Sequence, residues 1–404
     1  MHRHEPWCDF RLFLRLCGAL SIRIMAATGS APRTIALDPP SGKGSVATQA
    51  LLSAMLRADD QISQLIFSPG RPPQIEVSGQ LVAVLAPGLE VLSADDTRRF
   101  ASDLIGQNKR AITMLQEQGS CDVSFGLPGV ARFRVNVFLQ RGSCAVVMRV
   151  MPGTIPDFAW LGLPAHLGDV VKLRDGMVLV TGARGSGKSS ILAALLDCIN
   201  ENRTCHILTI EDPIEFLYTH KRATIHQREL HSDAPSFPLA LSAAMHQAPK
   251  VILISELRDH ETMEMALEAA ETGHLVLSSV NSVSAAKAVE RIVNTFATTK
   301  QAATRSRLAK VLRYIICRKL VPRTDSSGRM AVAEILKGNS RVRESEEDNQ
   351  AIQPVPEMPN EKSADGAQYF DVEIEKLVRA GVVDLTIALA CATDPQQLQK
   401  RLAK

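Results

Sequence analysis

The rhythm of apolar positions changes once along the chain. Over residues 128–138 (PGVARFRVNVF) apolar and polar positions alternate, with Phe133, Val135 and Val137 on one face and Arg132, Arg134 and Asn136 on the other. That period of two predicts a half-buried strand. Further on, residues 177–181 (MVLVT), 206–210 (HILTI), 251–255 (VILIS) and 274–280 (HLVLSSV) are nearly continuous apolar runs. Such runs predict parallel strands covered on both faces. The first rhythm implies a small α+β domain and the second an α/β core.

The remaining elements follow from local signals. Order is expected to begin near Thr48 with a helical stretch over Leu51–Leu56, then strands over 73–79 and 80–85 that meet at Ser78-Gly79. A long helix is expected from Asp95 to Gln118, with Ser93 as its N-cap, and a turn at Gly142-Ser143 leads into a strand over 144–150. Met263, Ala266, Leu267 and Ala270 recur at helical spacing within Glu261–Glu271, and Gly273 stops that helix. Residues 301–336 read as helical, becoming strand-like at 330–336, and 369–404 read as a final pair of helices.

The resulting organisation is a disordered or linker extension over 1–46, an N-terminal α+β domain over 47–151 and a connection over 152–168. A core then spans 169–338, a polar, acidic, proline-bearing insert 339–366, and C-terminal helices 367–404. Leu12–Met25 has the apolar flavour of a signal peptide, but Arg15 and Arg23 interrupt it, so it reads as a loose extension with Met25 as an alternative start.

Composition narrows the classes. With 404 residues, 45% of them hydrophobic, two or three domains with real cores are expected, which excludes a mainly disordered chain. Lys plus Arg is 46 against 43 for Asp plus Glu, and aromatics are 4%, so neither a general basic field nor stacking platforms favour nucleic acid. No run approaches the ~18 apolar residues of a membrane helix. Cys8, Cys17, Cys121, Cys144, Cys198, Cys205, Cys317 and Cys391 form no CxxC pair and read as reduced thiols of a cytosolic protein.

The strongest chemical signal is the run Gly182, Ala183, Arg184, Gly185, Ser186, Gly187, Lys188, Ser189, which satisfies GxxxxGK[ST] and leads through Ser190 into the apolar run 191–199. A strand before it and a helix after it are the context such a phosphate-binding loop requires. Its glycines let amide N–H groups converge on phosphate oxygens at a helix N-terminus. Lys188 is placed to neutralise the phosphates of ATP, and the Ser189 hydroxyl to ligate Mg²⁺. Two strand ends carry acids: Glu211, Asp212 and Glu215 after the second apolar run, and Glu256 after the third. Carboxylates at the carboxyl ends of parallel strands lie where ligands bind. The shared face of Arg132 and Arg134 suits either guanidinium–phosphate contact or solvent. His274, at a strand start after Thr272-Gly273, reads either as a nucleotide sensor or as a locally bonded side chain.

Together, residues 128–138, the loop, ILTIEDPIEF (207–216), HQREL (226–230), SELRDHETMEMALEAAETGHLV (255–276) and SAAKAVERIV (284–293) resemble the type IV pilus retraction ATPases, the PilT-type twitching-motility branch of the secretion ATPase superfamily. The resemblance spans about Leu51 to Leu402. It implies a PAS-like N-terminal domain and a RecA-like P-loop NTPase core. It also implies a homo-hexamer that hydrolyses ATP with Mg²⁺ and works on an inner-membrane pilus platform protein, from the cytoplasmic face of that membrane. By the same resemblance Glu211 polarises the attacking water, Glu256 helps hold Mg²⁺, and Arg132 and Arg134 complete the site. Several positions depart from the family pattern. Asn281 stands in place of a histidine, Ser242 and His246 in place of paired arginines, and Ser255 in place of a glycine. Ala248-Pro249-Lys250 replaces an acidic turn, and near the C-terminus only Arg343 of an apolar Ala-Ile-Arg signature is kept. These departures motivate the alternative of an ATP-binding accessory subunit that hydrolyses weakly beside a paralogous ATPase.

Overall fold

The computed structural model describes residues 22–25, 34–37, 48–325, 328–338 and 368–403. The expected insert 339–366, with Arg341 and Arg343, lies outside the described residues, as do Cys8 and Cys17. The chain divides into two compact units, Met1–Gly153 and Thr154–Lys404.

The first unit holds strands β1 (Ile22–Met25), β2 (Thr34–Leu37), β3 (Ile62–Phe67), β4 (Gln74–Val77), β5 (Gln80–Leu85), β6 (Ser120–Leu127), β7 (Ala131–Gln140) and β8 (Ser143–Val150). Their order is β1-β2-β5-β4-β3-β8-β7-β6. The 1–46 extension, expected to lack structure, thus contributes two short strands, with β2 running parallel to β5. Their sequences, IRIM and TIAL, are rich in the β-branched and apolar residues that strands favour. The β4–β5 hairpin turns at Ser78 and Gly79, both with positive φ (52° and 79°), as two-residue hairpins require.

The helix expected over Asp95–Gln118 is two helices, Ala94–Ile105 and Lys109–Gln118. Ser93 caps the first in a reciprocal box with Asp96. The chain then leaves the helix at Gly106 and restarts when the Asn108 side chain accepts from the N–H of Ala111 (3.1 Å). Stop and start signals within three residues outweigh the continuous periodicity. Phe133, Val135 and Val137 are buried and Arg134 is exposed, and the core closes around Phe67 and Phe100, whose ring centroids lie 4.9 Å apart.

The second unit is built on β9 (Gly176–Gly182), β10 (His206–Glu211), β11 (Thr224–Glu229), β12 (Val251–Ile254), β13 (Leu275–Asn281), β14 (Leu312–Pro322) and β15 (Arg329–Lys337). The order is β11-β10-β12-β13-β9-β14-β15, all neighbours parallel except the final antiparallel pair. Every residue of β9 is buried. Met177 and Leu179 pack on one face with Leu267 and Ile292, and Val178 and Val180 on the other with Leu195 and Ile199. Two covered faces explain the absence of polar alternation.

The helix expected from 301 ends at Val311, and β14 follows at once, because Tyr314, Ile315, Ile316 and Val321 favour a strand. Three C-terminal helices replace the expected pair, Phe370–Arg379, Leu385–Cys391 and Pro395–Leu402, with Asp384 and Asp394 capping the last two. The six described cysteines are free thiols.

Candidate functional site

Strand register alone gathers the site. Gly182 at the end of β9 is level with Asn281 of β13 and Arg318 of β14, while Ile254 of β12 is level with Ile210 of β10. The carboxyl ends of four strands therefore bring Glu211, Glu256, Asn281 and the glycine-rich loop into one row, with Arg318 of β14 level with the loop, at the edge where open parallel sheets bind ligands.

The loop is shaped by glycine at both ends. A Cβ on Gly182 (φ 153°) would clash with the Ser186 hydroxyl and lie 2.7 Å from the Arg318 carbonyl oxygen. Gly187, in the left-handed region (φ 89°), opens the helix Lys188–Asn202 with no side-chain cap. The first N–H groups of that helix are left for a ligand, at its positive end. The Lys188 ammonium donates to the carbonyls of Gly182 (3.1 Å) and Ala183 (3.0 Å). Burial pushes its pKa down, opposed by the carboxylates of Glu256 and Glu215. The Ser186 hydroxyl is buried without a partner among the described residues. Ala183, Arg184 and Gly185 are exposed at the crest, with Ser189 and Ser190 half-buried behind them. Converging amides, an unpaired hydroxyl and a held-back cation fit a phosphate chain.

At the tip of β10, Glu211 is 7% exposed. Its Oε1 accepts from the Thr209 hydroxyl (2.6 Å) and the Gln227 amide (3.1 Å). Burial, only partly offset by these bonds and by the backbone N–H of Glu215, pushes its pKa up to about 7. Gln227 also donates to the Phe216 carbonyl (2.8 Å) and accepts from the Tyr218 N–H (2.9 Å), while Glu229 accepts from the Ile214 N–H (2.9 Å). Strand β11 thereby fastens the acidic loop 212–218. The fastened loop delivers Glu215, whose Oε1 accepts the Ser189 hydroxyl (3.0 Å). Beyond β12, Glu256 accepts from Arg258 Nε (2.8 Å) and from the Asn281 amide, and Arg258 Nη1 reaches Asp212 (3.0 Å).

Lys188 and Glu256 are thus brought together, and Ser189 joins them through Glu215. Glu211 is tied into the floor beneath the acidic loop. His274, read as either a nucleotide sensor or a locally bonded side chain, is not brought to the loop. It precedes β13 and its carbonyl accepts from Gly176 N–H at the start of β9 (3.0 Å), whereas the loop follows the end of that seven-residue strand. Six steps of ~3.3 Å put it about 20 Å from the loop, at the opposite edge of the sheet. Its Nδ1 is engaged with the Ala269 carbonyl (3.0 Å). Arg132 and Arg134 lie on β7 in the first unit, Arg134 in an exposed pair with Asp122 (3.7 Å). Gln227, Glu229 and Arg318 are not singled out individually by the sequence, whereas Glu215 is one of the strand-end acids it offers, without a role assigned.

A glycine-rich loop ending a central parallel strand, flanked by carboxylates at neighbouring strand tips, defines a P-loop nucleotide-binding core of RecA-like type. The chain belongs to the type II/IV secretion system protein family, whose pattern matches residues 117–369. A twitching motility protein of Neisseria gonorrhoeae is 40% identical over 311 residues, covering 77% of this chain and 82% of that protein. The type IV pilus retractation ATPase PilT of Pseudomonas aeruginosa is 37% identical over 334 residues, covering 83% of this chain and 95% of its own length. The crystal structure of the pilus retraction motor PilT with bound ADP matches with a TM-score of 0.77 at 36% identity, over 87% of this chain and 99% of that one. Among the described residues no helix is long and apolar enough to cross a membrane.

Proposed function

We propose that the chain is the ATP-hydrolysing motor of a type IV pilus and powers pilus retraction and twitching motility. The observation that carries this is the loop Gly182–Ser189, with Lys188 in the field of Glu256 and Glu215 and Ser189 bonded to Glu215. The relatives named for retraction and twitching support the coupling to a pilus. The loop amides and Lys188 bind the phosphates. Glu211, with a pKa near neutrality, accepts a proton from the attacking water. Ser189, Glu215 and Glu256 present hard oxygen donors that suit Mg²⁺, which would neutralise phosphate charge as ATP is cleaved. Arg132 and Arg134 supply further positive charge to the site within a homo-hexamer. The motor works at the cytoplasmic face of the inner membrane on a pilus platform protein.

The accessory-subunit alternative rests on Asn281, Ser242 and His246. Asn281 donates to Glu256, so that carboxylate is held rather than released by the departure. The test is phosphate release by the purified full chain, together with surface motility of a strain lacking it. Turnover that is lost in Lys188→Ala, and motility restored only by the wild type, is expected. Turnover equal to that of Lys188→Ala contradicts the motor reading.

A further inference from the structure

Several arginines of the second unit are matched to acceptors. Arg203 donates to the Leu173 carbonyl, Arg291 to the Asn281 carbonyl, and Arg307 bridges Glu264 and Glu271. Arg318, in the candidate site, combines burial with the lack of any such acceptor. It is 7% exposed, its Nε is buried without a partner, and its guanidinium makes no hydrogen bond or ion pair among the described residues. Its register neighbours, Gly182 on β9 and Ala333 on β15, bear no charge. The guanidinium lies against the loop: a Cβ built on Gly187 would come 2.9 Å from Nη1 and 3.4 Å from Cζ.

A buried lone charge is costly and is stabilised by a counter-charge in the same low-dielectric place. Among the described residues none provides one here, and the helix N-terminus beside it is itself electropositive. Two positive features facing one loop are complementary to an anion.

We propose that Arg318 is a second phosphate-binding cation of this site, acting with Lys188 on the polyphosphate of a nucleoside di- or triphosphate. The proposal rests on the nucleotide reading of the loop and adds a residue from β14, on the opposite flank from the carboxylates. A planar guanidinium fork can bridge two phosphate oxygens, which the point charge of Lys188 does not. The counter-charge arrives with the ligand, so nucleotide stabilises the wild-type fold more than that of a variant lacking the charge.

The test uses the full chain titrated with fluorescent ADP and ATP analogues, alongside Arg318→Gln and Arg318→Lys, with melting temperatures measured with and without nucleotide. For Arg318→Gln, Kd for both nucleotides is expected to rise about tenfold or more, as for other lost charged hydrogen bonds. Its nucleotide-free melting temperature should not fall, its nucleotide-induced shift should shrink, and the salt dependence of binding should weaken. Arg318→Lys should be intermediate. Unchanged affinity in Arg318→Gln overturns the proposal, as does a loss of affinity that only tracks a lower nucleotide-free melting temperature. If the wild type binds neither nucleotide, the loop reading itself falls and this one with it. If the wild type binds and Arg318→Gln binds equally, only the role of Arg318 falls.

Discussion

At the tip of β10, Glu211 is enclosed by a hydroxyl, a carboxamide and a backbone amide, with no cation bonded to it among the described residues. At the tip of β12, Glu256 lies between a guanidinium and the Asn281 amide, its side chain 18% exposed. Both are glutamates at the carboxyl ends of apolar parallel strands, and strand position alone ranks them alike; only the family resemblance separates their roles in sequence. Their surroundings give them different chemistry. Desolvation lifts Glu211 into the range where a carboxyl exchanges protons at neutral pH. Glu256, bonded to the Arg258 guanidinium and the Asn281 amide, is placed to share its oxygens with a metal cation.

The largest expected effect separates these roles directly. Glu211→Gln should lower hydrolysis by about 10²–10³ with nucleotide affinity retained, whereas Glu256→Gln should also raise the Mg²⁺ concentration needed for half-maximal rate. Phosphate release across an Mg²⁺ titration checks both, and identical profiles would erase the distinction.

The next effect is on stability. The ordinary Glu pKa is 4.5 and the folded value about 7, so the folded chain holds this proton more tightly. Its contribution to stability is therefore present at low pH and is lost as pH rises across that window. Between pH about 5 and about 8 the wild type should lose roughly 2 kcal/mol relative to Glu211→Gln, read by urea unfolding of both proteins. A pH-independent difference would mean Glu211 is not desolvated.

Asn281→Ala should cost about tenfold in turnover, since Glu256 keeps Arg258 but loses its amide partner. An unchanged rate would assign Asn281 to packing. Smallest in stability is Arg134→Ala, whose exposed pair with Asp122 is worth under ~0.5 kcal/mol. Chemical denaturation should barely register it, and a fall in ATPase rate without a fall in stability is the outcome expected if Arg134 serves the site.

The phosphate loop was legible because its eight residues are contiguous and bracketed by a strand and a helix. The apolar strands of the core were legible for a similar reason, since burial on both faces leaves a local trace. What escaped depends on contacts between distant segments. Glu215 meets Ser189 only because Gln227 and Glu229 on β11 pin the intervening loop. Strand β14 was hidden by Arg313, Arg318 and Lys319, charges that interrupt its apolar pattern, and the burial of Arg318 arises from the loop packed against it. His274 adjoins a recognisable motif in sequence, but a parallel strand carries its two ends to opposite edges of the sheet.

The most direct test of the nucleotide grip is a crystal structure of the full chain with ADP and Mg²⁺. The account predicts the β-phosphate held by the amides from Gly185 to Ser189, with Lys188 Nζ moved off the Gly182 and Ala183 carbonyls onto phosphate oxygen. Lys188 still bonded to those carbonyls, beside an empty loop at saturating ADP, would contradict it.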